Sequence, residues 1–429
     1  MEFSRLKNLF VVLVMTTVLT SGVSFSLQNS EVSVFGQTAT IIEGQNKISS
    51  ALLPPPLPPQ KLSNPPEIIK AVYVTGWSAG NKSYLNYLSN LFKKTEINAV
   101  VVDIKGSSGY VSYASGSQDV KKYNLDNDVI RDIDALVKFF HNQQIYVIGR
   151  IAVFEDPVYS KARPELAIYN KAKTKDLTNP ILWQDNSGLS WLDPASKEVW
   201  DYNISLAKDT LEHGFDEINF DYIRFPTDGN TKNTGFPVWD GKTPMQKIIK
   251  EFFQYVRQEL AGKKISADLF GQTTVDTNDM GIGQLLEDAF ENFDYIAPMV
   301  YPSHYAKNFI GFANPAEYPY EVVKYSMYSA QLRKEIYLKQ QEVFALKNSE
   351  AVSSPAAESQ QALNLTPTIG PLAKFRPWIQ DFNMGAVYNA DMVKKEIKAT
   401  QDALGKDFSG FMLWNPSNIY TQAAVLKPK

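Results

Sequence analysis

Residues 214–226 have the sequence GFDEINFDYIRFP, and polar and apolar residues alternate through its middle. Side chains alternate across a β-strand, so Glu217, Asn219 and Asp221 share one face, and the intervening Ile and Phe point to the other. If the apolar face packs on helices, the polar face lines the interior of a barrel. Buried polar groups are costly unless they are paired. This face is therefore either a structural hydrogen-bond network or the support of a catalytic carboxylate at Asp221.

Short apolar runs alternate with amphipathic segments on both sides of this stretch, from Ala71 to Trp414. The pattern predicts eight strands, at 71–75, 98–104, 145–153, 217–223, 264–269, 295–300, 377–382 and 410–414. It predicts seven helices between them, at 84–94, 129–142, 197–212, 245–260, 284–291, 319 to about 344, and 392–404. Strict alternation indicates an α/β fold with a parallel sheet, and eight units favour a single (β/α)8 TIM barrel. An open doubly wound sheet would need a glycine-rich fingerprint after an early strand, and the sequence has none.

The ends of the chain differ in composition from this body. Residues 1–26 combine a short basic start with an apolar run at 9–19, which is typical of a signal peptide or an N-terminal membrane anchor. Residues 27–70 are polar and then proline-rich, so we predict a disordered linker. The predicted barrel spans 71–418, with a low-complexity insertion at about 347–368 and a C-terminal tail at 419–429. We expect an extracytoplasmic protein, either secreted or anchored to the cell membrane.

The composition narrows the chemistry. The 429 residues include 44% hydrophobic and 21% charged residues, which is a globular balance, and the formal net charge is −3, which counts against nucleic-acid binding. There are no cysteines and three scattered histidines, so thiol chemistry is excluded, and we expect no metal and no cofactor. A G-x-S-x-G match at 76–80 follows the first strand, too early for an α/β-hydrolase. Catalysis is therefore expected to depend on carboxylates.

A barrel of this type carries its active site at the carboxyl ends of its strands. The predicted strand ends are rich in polar and aromatic side chains, and these are our candidates for substrate binding. They are Trp77 after the first strand, Asp103 and Lys105 at the second, Glu155 at the third, Tyr222 and Arg224 at the fourth, Tyr301 and His304 at the sixth, Gln380 at the seventh, and Trp414 and Asn415 at the eighth.

Two carboxyl groups stand on neighbouring predicted strands, Asp221 on the fourth and Asp268 on the fifth. One ionised and one protonated carboxyl group flanking a scissile bond are what glycoside cleavage requires. Aromatic residues at the strand ends, Trp378 among them, would offer flat apolar faces to sugar rings. A separation of about 5 Å between the carboxyl groups would indicate retention of configuration, and about 6.5–9.5 Å would indicate inversion.

Several motifs together resemble one protein family. The 214–226 segment is accompanied by YVTGW at 73–77, WLDP at 191–194, PMVYPSH at 298–304, RPWIQDF at 376–382 and LWN at 413–415. This set resembles the bacterial "putative glycosyl hydrolase domain" family, a glycoside-hydrolase-like barrel group, over about residues 71–418. The resemblance implies a (β/α)8 barrel that acts on a polysaccharide.

The resemblance also implies roles for individual residues. Similarity to α-amylase-like barrels suggests Asp221 as nucleophile, Asp268 as acid/base and Asp381 as a third carboxylate, an analogy at the level of the fold. The RPWIQDF motif adds Arg376 to the substrate-binding candidates. The leading hypothesis is a glycoside hydrolase that acts on an extracellular or cell-envelope polysaccharide. The alternative is a non-catalytic carbohydrate-binding or envelope-structural barrel.

Overall fold

Eight parallel strands close into a barrel in the computed structural model, which describes residues 60–352 and 370–427. The strands are β1 (Ile69–Val74), β2 (Ala99–Lys105), β3 (Tyr146–Ala152), β4 (Glu217–Asp221), β5 (Ile265–Phe270), β6 (Tyr295–Met299), β7 (two segments, Lys374–Phe375 and Trp378–Gln380) and β8 (Gly410–Trp414). Each strand pairs in parallel with the next, and β8 pairs with β1, which closes the barrel. The predicted (β/α)8 barrel is therefore confirmed.

Helices surround the barrel and connect its strands. They are α1 (Gly76–Ala79), α2 (Lys82–Lys94), α3 (Gln118–Tyr123), α4 (Ile133–His141), α5 (Pro157–Ala162), α6 (Lys197–Glu212), α7 (Met245–Glu259), α8 (Leu286–Ala289), α9 (Pro319–Val352) and α10 (Ala390–Leu404). Side-chain caps begin several of them: Asp132 accepts from the Ala135 N–H and Ser196 from the Val199 N–H. Among the residues that the structure describes, no helix is both long and apolar enough to cross a membrane.

The strands bury different residues on their two faces, as their alternation requires. On β1, Ala71 and Tyr73 point into the barrel, where they join a small apolar cluster with residues from β2, β3, β7 and β8. Val72 and Val74 point outward into the larger core between strands and helices. Side chains therefore fill this part of the barrel interior.

The polar face of β4 points into the barrel, as the sequence predicted, and its first residue forms a buried ion pair. Glu217 and Arg376 are both fully buried and contact each other through both guanidinium Nη atoms. Ser266 Oγ donates to Glu217 Oε1 at 2.6 Å, and the guanidinium lies 4.1 Å from the centre of the Tyr295 ring. Arg376 therefore lies at the amino-terminal end of the barrel, and its prediction as a substrate-binding residue was wrong, because its side chain is closed off beneath the strand ends.

Replacing Arg376 with Met is expected to lower the free energy of unfolding by about 3–5 kcal/mol, because it leaves the Glu217 carboxylate buried without its partner. Urea-induced unfolding followed by tryptophan fluorescence measures the loss. The double variant Glu217→Gln/Arg376→Met removes both charges and is expected to recover a large part of the stability. Equal stability losses in the single and double variants would contradict this account.

The folded unit is longer at both ends than the sequence predicted. Residues 60–70, predicted as linker, include the start of β1, and Leu62 is buried with its N–H donating to Asp216 Oδ1 at 2.8 Å. The predicted tail also packs: Val425 is fully buried and its carbonyl accepts from the Glu96 N–H. The predicted signal or anchor segment and residues 27–59 of the linker lie outside the described residues.

Two segments extend from the barrel. The segment after β3 contains α5 and a two-residue strand, Tyr169–Asn170, which pairs antiparallel with Thr234–Gly235 from the loop after β4. We call this pair the β3–β4 ribbon. Helix α9 continues to Val352, past its predicted end near residue 344 and into the predicted low-complexity insertion. The rest of that insertion, from residue 353 on, lies outside the described residues.

Candidate active site

A cavity of about 320 Å³ lies at the carboxyl ends of the barrel strands. We call it the central cavity. Eight of the sixteen residues predicted from the sequence line it: Asp221, Tyr222, Arg224, Asp268, Tyr301, His304, Trp378 and Trp414. Six further residues complete its lining: Arg150, Phe270, Gly271, Gln272, Met299 and Tyr305. Residues from β3 to β8 or from the loops directly after them therefore meet at this cavity.

Arg150 of β3 connects the carboxyl groups of this site and is almost fully buried. Its Nη1 donates to Asp103 Oδ1 at 2.5 Å, and its Nη2 and Nε donate to Asp221 Oδ2 at 2.5 and 3.2 Å. The same Nε lies 3.8 Å from Asp268 Oδ2. The Tyr73 hydroxyl donates to the second oxygen of Asp103 at 2.5 Å. One guanidinium therefore compensates carboxyl groups from three neighbouring strands.

Asp221 stands at the end of β4, and hydrogen-bond donors surround its carboxyl group. In addition to Arg150, the backbone N–H of Tyr222 donates to Oδ1 at 2.6 Å. Tyr222 has a φ of 52°, a left-handed conformation that is uncommon for residues other than glycine. In this conformation the Tyr222 ring lines the cavity while its N–H meets the preceding side chain. Charged and backbone donors therefore hold the Asp221 carboxyl group in one position.

Asp268 of β5 has a different environment. Its Oδ1 accepts from Asn219 Nδ2 and from Trp378 Nε1, both at 2.8 Å, whereas its buried Oδ2 has no hydrogen-bond partner among the described residues. Burial raises the pKa of Asp268 well above its usual range, and the nearby Asp221 carboxyl group raises it further. Asp268 is therefore expected to hold a proton at pH values at which an ordinary aspartate is ionised.

The two carboxyl groups lie close together. Asp221 Oδ2 and Asp268 Oδ2 lie 3.2 and 3.8 Å from the same Arg150 Nε, so these two oxygens are at most about 7 Å apart, the sum of those distances. This limit includes the separation of about 5–5.5 Å found in retaining glycosidases and excludes most of the inverting range. The two carboxyl groups are therefore close enough to contact the same glycosidic bond.

Aromatic rings form two walls of the central cavity. On one side, Trp414 stacks on Tyr73 with ring centres 4.0 Å apart, and the Trp378 ring meets Trp414 edge-on. On the other side, the Arg224 guanidinium lies between the rings of Trp191 and Phe270, 4.7 Å from each centre. The cavity therefore combines apolar ring surfaces, which suit sugar rings, with charged groups at its base.

Three predicted residues near β2 and β3 do not line the cavity. Asp103 is held behind Arg150, as described above. Lys105 is fully buried, its Nζ lies 2.7 Å from Asp156 Oδ2, and the Tyr202 ring covers it, so its prediction as a substrate-binding residue was wrong. Glu155 is also buried outside the lining. Burial raises its pKa to about 8, and the negative charge of Asp185 contributes.

The predicted residues after β7 and β8 serve the packing of loops. Asp381 accepts from the backbone N–H and the hydroxyl of Thr421, at 2.8 and 2.6 Å, and does not line the cavity. Gln380 accepts from Ser303 Oγ, and Asn415 donates to the carbonyls of Asp381 and Ile419. These contacts correct two predictions: that Asp381 is a third catalytic carboxylate, and that Gln380 and Asn415 bind substrate. Their polar groups are occupied by contacts between loops.

Trp77, the remaining candidate, lies on α1 with 73% of its surface exposed, outside the cavity lining.

Sequence reasoning missed Arg150, the most connected residue of the site. A signal was available, because Tyr146, Ile148 and Arg150 alternate along β3, and the first two point into the barrel. Within residues 60–352 and 370–427, no group of three or more His, Asp or Glu side chains could hold a metal ion.

Comparison with known families places this site in context. The sequence matches the family described as "Putative glycosyl hydrolase domain" over residues 71–345 and 340–420, which together include all eight strands except the first two residues of β1. No protein in the curated collection of known proteins matches the chain.

Several solved structures are similar to this chain. A hypothetical protein from Ruminiclostridium thermocellum ATCC 27405 is 40% identical over 49% of this chain and 98% of its own, with a TM-score of 0.41. The PgaB (BpsB) glycoside hydrolase domain from Bordetella bronchiseptica is 12% identical over 82% of this chain and 95% of its own, with a TM-score of 0.51. The alpha-L-fucosidase isoenzyme 2 from Paenibacillus thiaminolyticus is 11% identical over 83% and 48%, with a TM-score of 0.47. The similarity to the Bordetella domain supports the barrel fold.

Proposed function

Because the chain belongs to the "putative glycosyl hydrolase domain" family, we propose that it is a glycoside hydrolase that acts on an extracellular or cell-envelope polysaccharide. Asp221 and Asp268 are its reacting carboxyl groups in this proposal. The N-terminal segment 1–26 would export the barrel or hold it at the membrane, and so bring it to such a substrate. The family assignment supports a carbohydrate substrate, and the two carboxyl groups are the place where we propose that its bond is cut.

One observation carries the proposal: two carboxyl groups in opposite environments meet at one cavity. Asp221 receives charged and backbone donors, whereas Asp268 is buried with one oxygen unpaired. When two neighbouring carboxyl groups have environments that separate their pKa values, the group with the higher pKa can act as the acid and the other as the carboxylate. Asp268 also lines the central cavity, where a bound substrate would meet it. The unpaired Asp268 oxygen at the cavity therefore favours a reacting group.

The arrangement leads to a two-step reaction. Protonated Asp268 gives its proton to the glycosidic oxygen as the bond breaks, and Asp221 attacks the anomeric carbon and forms a glycosyl ester. Water then attacks that ester, and the ionised Asp268 takes its proton. Arg150 assists both steps, because its Nε lies near the Asp268 oxygen and its Nη2 holds Asp221 in place. The Trp414 and Trp378 rings would support the sugar bound at the site.

Product release from a panel of cell-wall and capsular polysaccharides tests the proposal. The wild-type protein is expected to release oligosaccharides from at least one of them, detected as new reducing ends and identified by mass spectrometry. Proton NMR of the first product formed gives its anomeric configuration, and the proposal expects retention. Binding to a polysaccharide without any product across the panel would instead support the non-catalytic barrel.

The pH dependence of the reaction follows from Asp268. An acid must be protonated to act, and burial together with Asp221 raises the pKa of Asp268 well above its usual range. Activity is therefore expected to persist at pH values where an ordinary aspartate would be ionised, and to fall as the pH rises through the Asp268 pKa. The profile of kcat/KM against pH on the polysaccharide found in the panel measures this alkaline limb.

An Asp268→Asn variant provides the control for this prediction. It is expected to lose the alkaline limb together with most of its activity on the polysaccharide. It should retain much more activity on a dinitrophenyl glycoside, because that leaving group needs little acid assistance. An alkaline limb that persists unchanged in Asp268→Asn would assign the acid to another residue, with Glu155 the next candidate for its raised pKa of about 8.

A further inference from the structure

A second cavity, of about 590 Å³, opens at the same end of the barrel. We call it the ribbon cavity, because the β3–β4 ribbon forms one of its walls. Segments that follow β3, β4 and β5 enclose it, the same strands that supply Arg150, Asp221 and Asp268 to the central cavity. None of the residues that line it is among the catalytic or substrate-binding residues predicted from the sequence.

The two cavities share a wall. Arg224 lines the central cavity, and its Nη1 donates to the Phe225 carbonyl at 3.1 Å and lies 3.4 Å from Thr227 Oγ1. Phe225 and Thr227 line the ribbon cavity. Arg224 therefore lines the central cavity and contacts two residues of the ribbon cavity, so the two cavities are adjacent.

An aromatic cluster gives the ribbon cavity a rigid side. Phe236 and Trp239 both line it, and their ring centres lie 4.9 Å apart, nearly perpendicular to each other. The backbone of this loop is fixed from beneath, because the fully buried Asp193 accepts from the N–H groups of Val238 and Trp239 at 2.7 and 2.9 Å. Such a preformed apolar surface suits the face of a sugar ring.

Two lysines set the charge of the ribbon cavity. Lys171 lies at the end of one ribbon strand, its N–H donating to the Asn233 carbonyl, and Lys232 lies next to that residue. Neither ammonium group forms an ion pair or hydrogen bond with any residue of the described chain. Asp240 also lines the cavity, but it already accepts from the N–H groups of Lys242 and Thr243. The charged residues of the lining are therefore these two exposed lysines and Asp240, which together leave it with net positive charge.

We propose that the ribbon cavity is a binding subsite for an acidic sugar, one that carries a carboxylate or phosphate group, in the polysaccharide whose bond is cut in the central cavity. The inference rests on the proposed function in taking the ligand to be a glycan. Lys171 and Lys232 pair with the anionic group, and the ring packs against Phe236 and Trp239. The whole chain carries a net charge of −3, so its overall charge does not favour binding of polyanions.

Binding measurements on an Asp221→Asn background test the inference without turnover. The probes are polygalacturonate for the carboxylate, poly(glycerol phosphate) for the phosphate, and dextran as a neutral polymer. We expect at least one of the two anionic polymers to bind at least tenfold more tightly than dextran, and the binding to weaken as salt is added. Which of them binds identifies the source of the charge. Equal affinity for all three polymers would overturn the inference.

Matched double variants distinguish binding at this subsite from a general effect of positive charge on the affinity. Lys171→Ala/Lys232→Ala is expected to weaken binding of the anionic polymer by about tenfold. Lys173→Ala/Lys242→Ala removes the same net charge from exposed positions nearby that do not line the cavity, and is expected to change the affinity by less than about twofold. Equal losses in both double variants would overturn the subsite.

The outcomes also separate this inference from the proposed function. If the chain binds an anionic polymer through Lys171 and Lys232 but the wild type cleaves no polysaccharide, the subsite stands and the hydrolase proposal fails. If the protein with both lysines intact binds neither anionic polymer, while the wild type and the Lys171→Ala/Lys232→Ala variant cleave a neutral polysaccharide equally well, the hydrolase proposal stands and the subsite fails.

Discussion

Replacing Asp221 with Asn is expected to lower kcat/KM on the cleaved polysaccharide on the order of a thousandfold or more while the fold persists. The amide has nearly the same shape and still accepts from the Tyr222 N–H, and Arg150 keeps its ion pair with Asp103, so we expect the fold to be retained. It cannot form a glycosyl ester or stabilise a positive charge at the anomeric carbon. Steady-state rates of reducing-end release, together with thermal unfolding, measure the two effects separately.

Asp381→Asn is the matched control for Asp221→Asn. Asp381 is also a buried aspartate directly after a barrel strand, but it accepts from Thr421 and lies outside the cavity lining. Its replacement is expected to change kcat/KM by no more than a few fold. Asp221→Asn that cleaves as fast as the wild type, or an equal loss in both variants, would exclude Asp221 from the reaction.

A third variant tests the specific role of Asp221. Asp221→Gly leaves a space where the carboxylate stood, and azide can enter it. If Asp221 is the nucleophile, azide is expected to restore turnover of a dinitrophenyl glycoside and to yield a glycosyl azide. Restored turnover without such a product would indicate that Asp221 acts by stabilising charge. Both outcomes keep Asp221 in the reaction, and the absence of any rescue would contradict a nucleophilic role.

The barrel was predictable from sequence because its strands and helices differ in local pattern. Each strand is a short apolar run, and β4 also revealed its inward face, since Glu217, Asn219 and Asp221 alternate with apolar residues. Boundaries that rest on hydrophobic periodicity alone were less accurate. Helix α9 continues past residue 344 through residues of good helix propensity, although its apolar pattern ends there.

Residues of the site were predictable only where their position on a single strand was enough to place them. Asp221 and Asp268 follow from strand-end position and direction, and both line the cavity. Lys105 does not line the cavity. The pairing register between β2 and β3 shifts between Asp103 and Lys105, and the lysine side chain contacts Asp156 instead. A single sequence does not reveal such a shift, since it arises from the pairing of two strands.

Long-range partners explain the remaining errors. Asp381 is a strand-end carboxylate like Asp221, and nothing near it in sequence indicates that Thr421, 40 residues later, takes both its oxygens. Arg150 shows the opposite case. It was treated as part of an apolar strand, and its importance emerges only when the carboxyl groups of β2, β4 and β5 are placed around it.

Replacing Arg150 with Met is expected to lower the free energy of unfolding by about 3–5 kcal/mol and to abolish activity. The guanidinium is buried and compensates Asp103 and Asp221, so its removal leaves two acidic groups buried without a counter-charge. Asp221 also loses the donors that hold it in place for reaction. Urea-induced unfolding at neutral pH measures the stability, and product release from the polysaccharide measures the activity.

Arg163→Met provides the comparison, because Arg163 also contacts two carboxylates, Glu165 and Glu198, but both of these are more than half exposed. Exposed ion pairs contribute about 0–1 kcal/mol, so this variant should remain close to the wild type in stability. Adding Asp103→Asn to Arg150→Met removes one uncompensated charge and is expected to restore part of the stability but none of the activity, since Asp221 stays without its donors. Similar losses in Arg150→Met and Arg163→Met would contradict the central role assigned to Arg150.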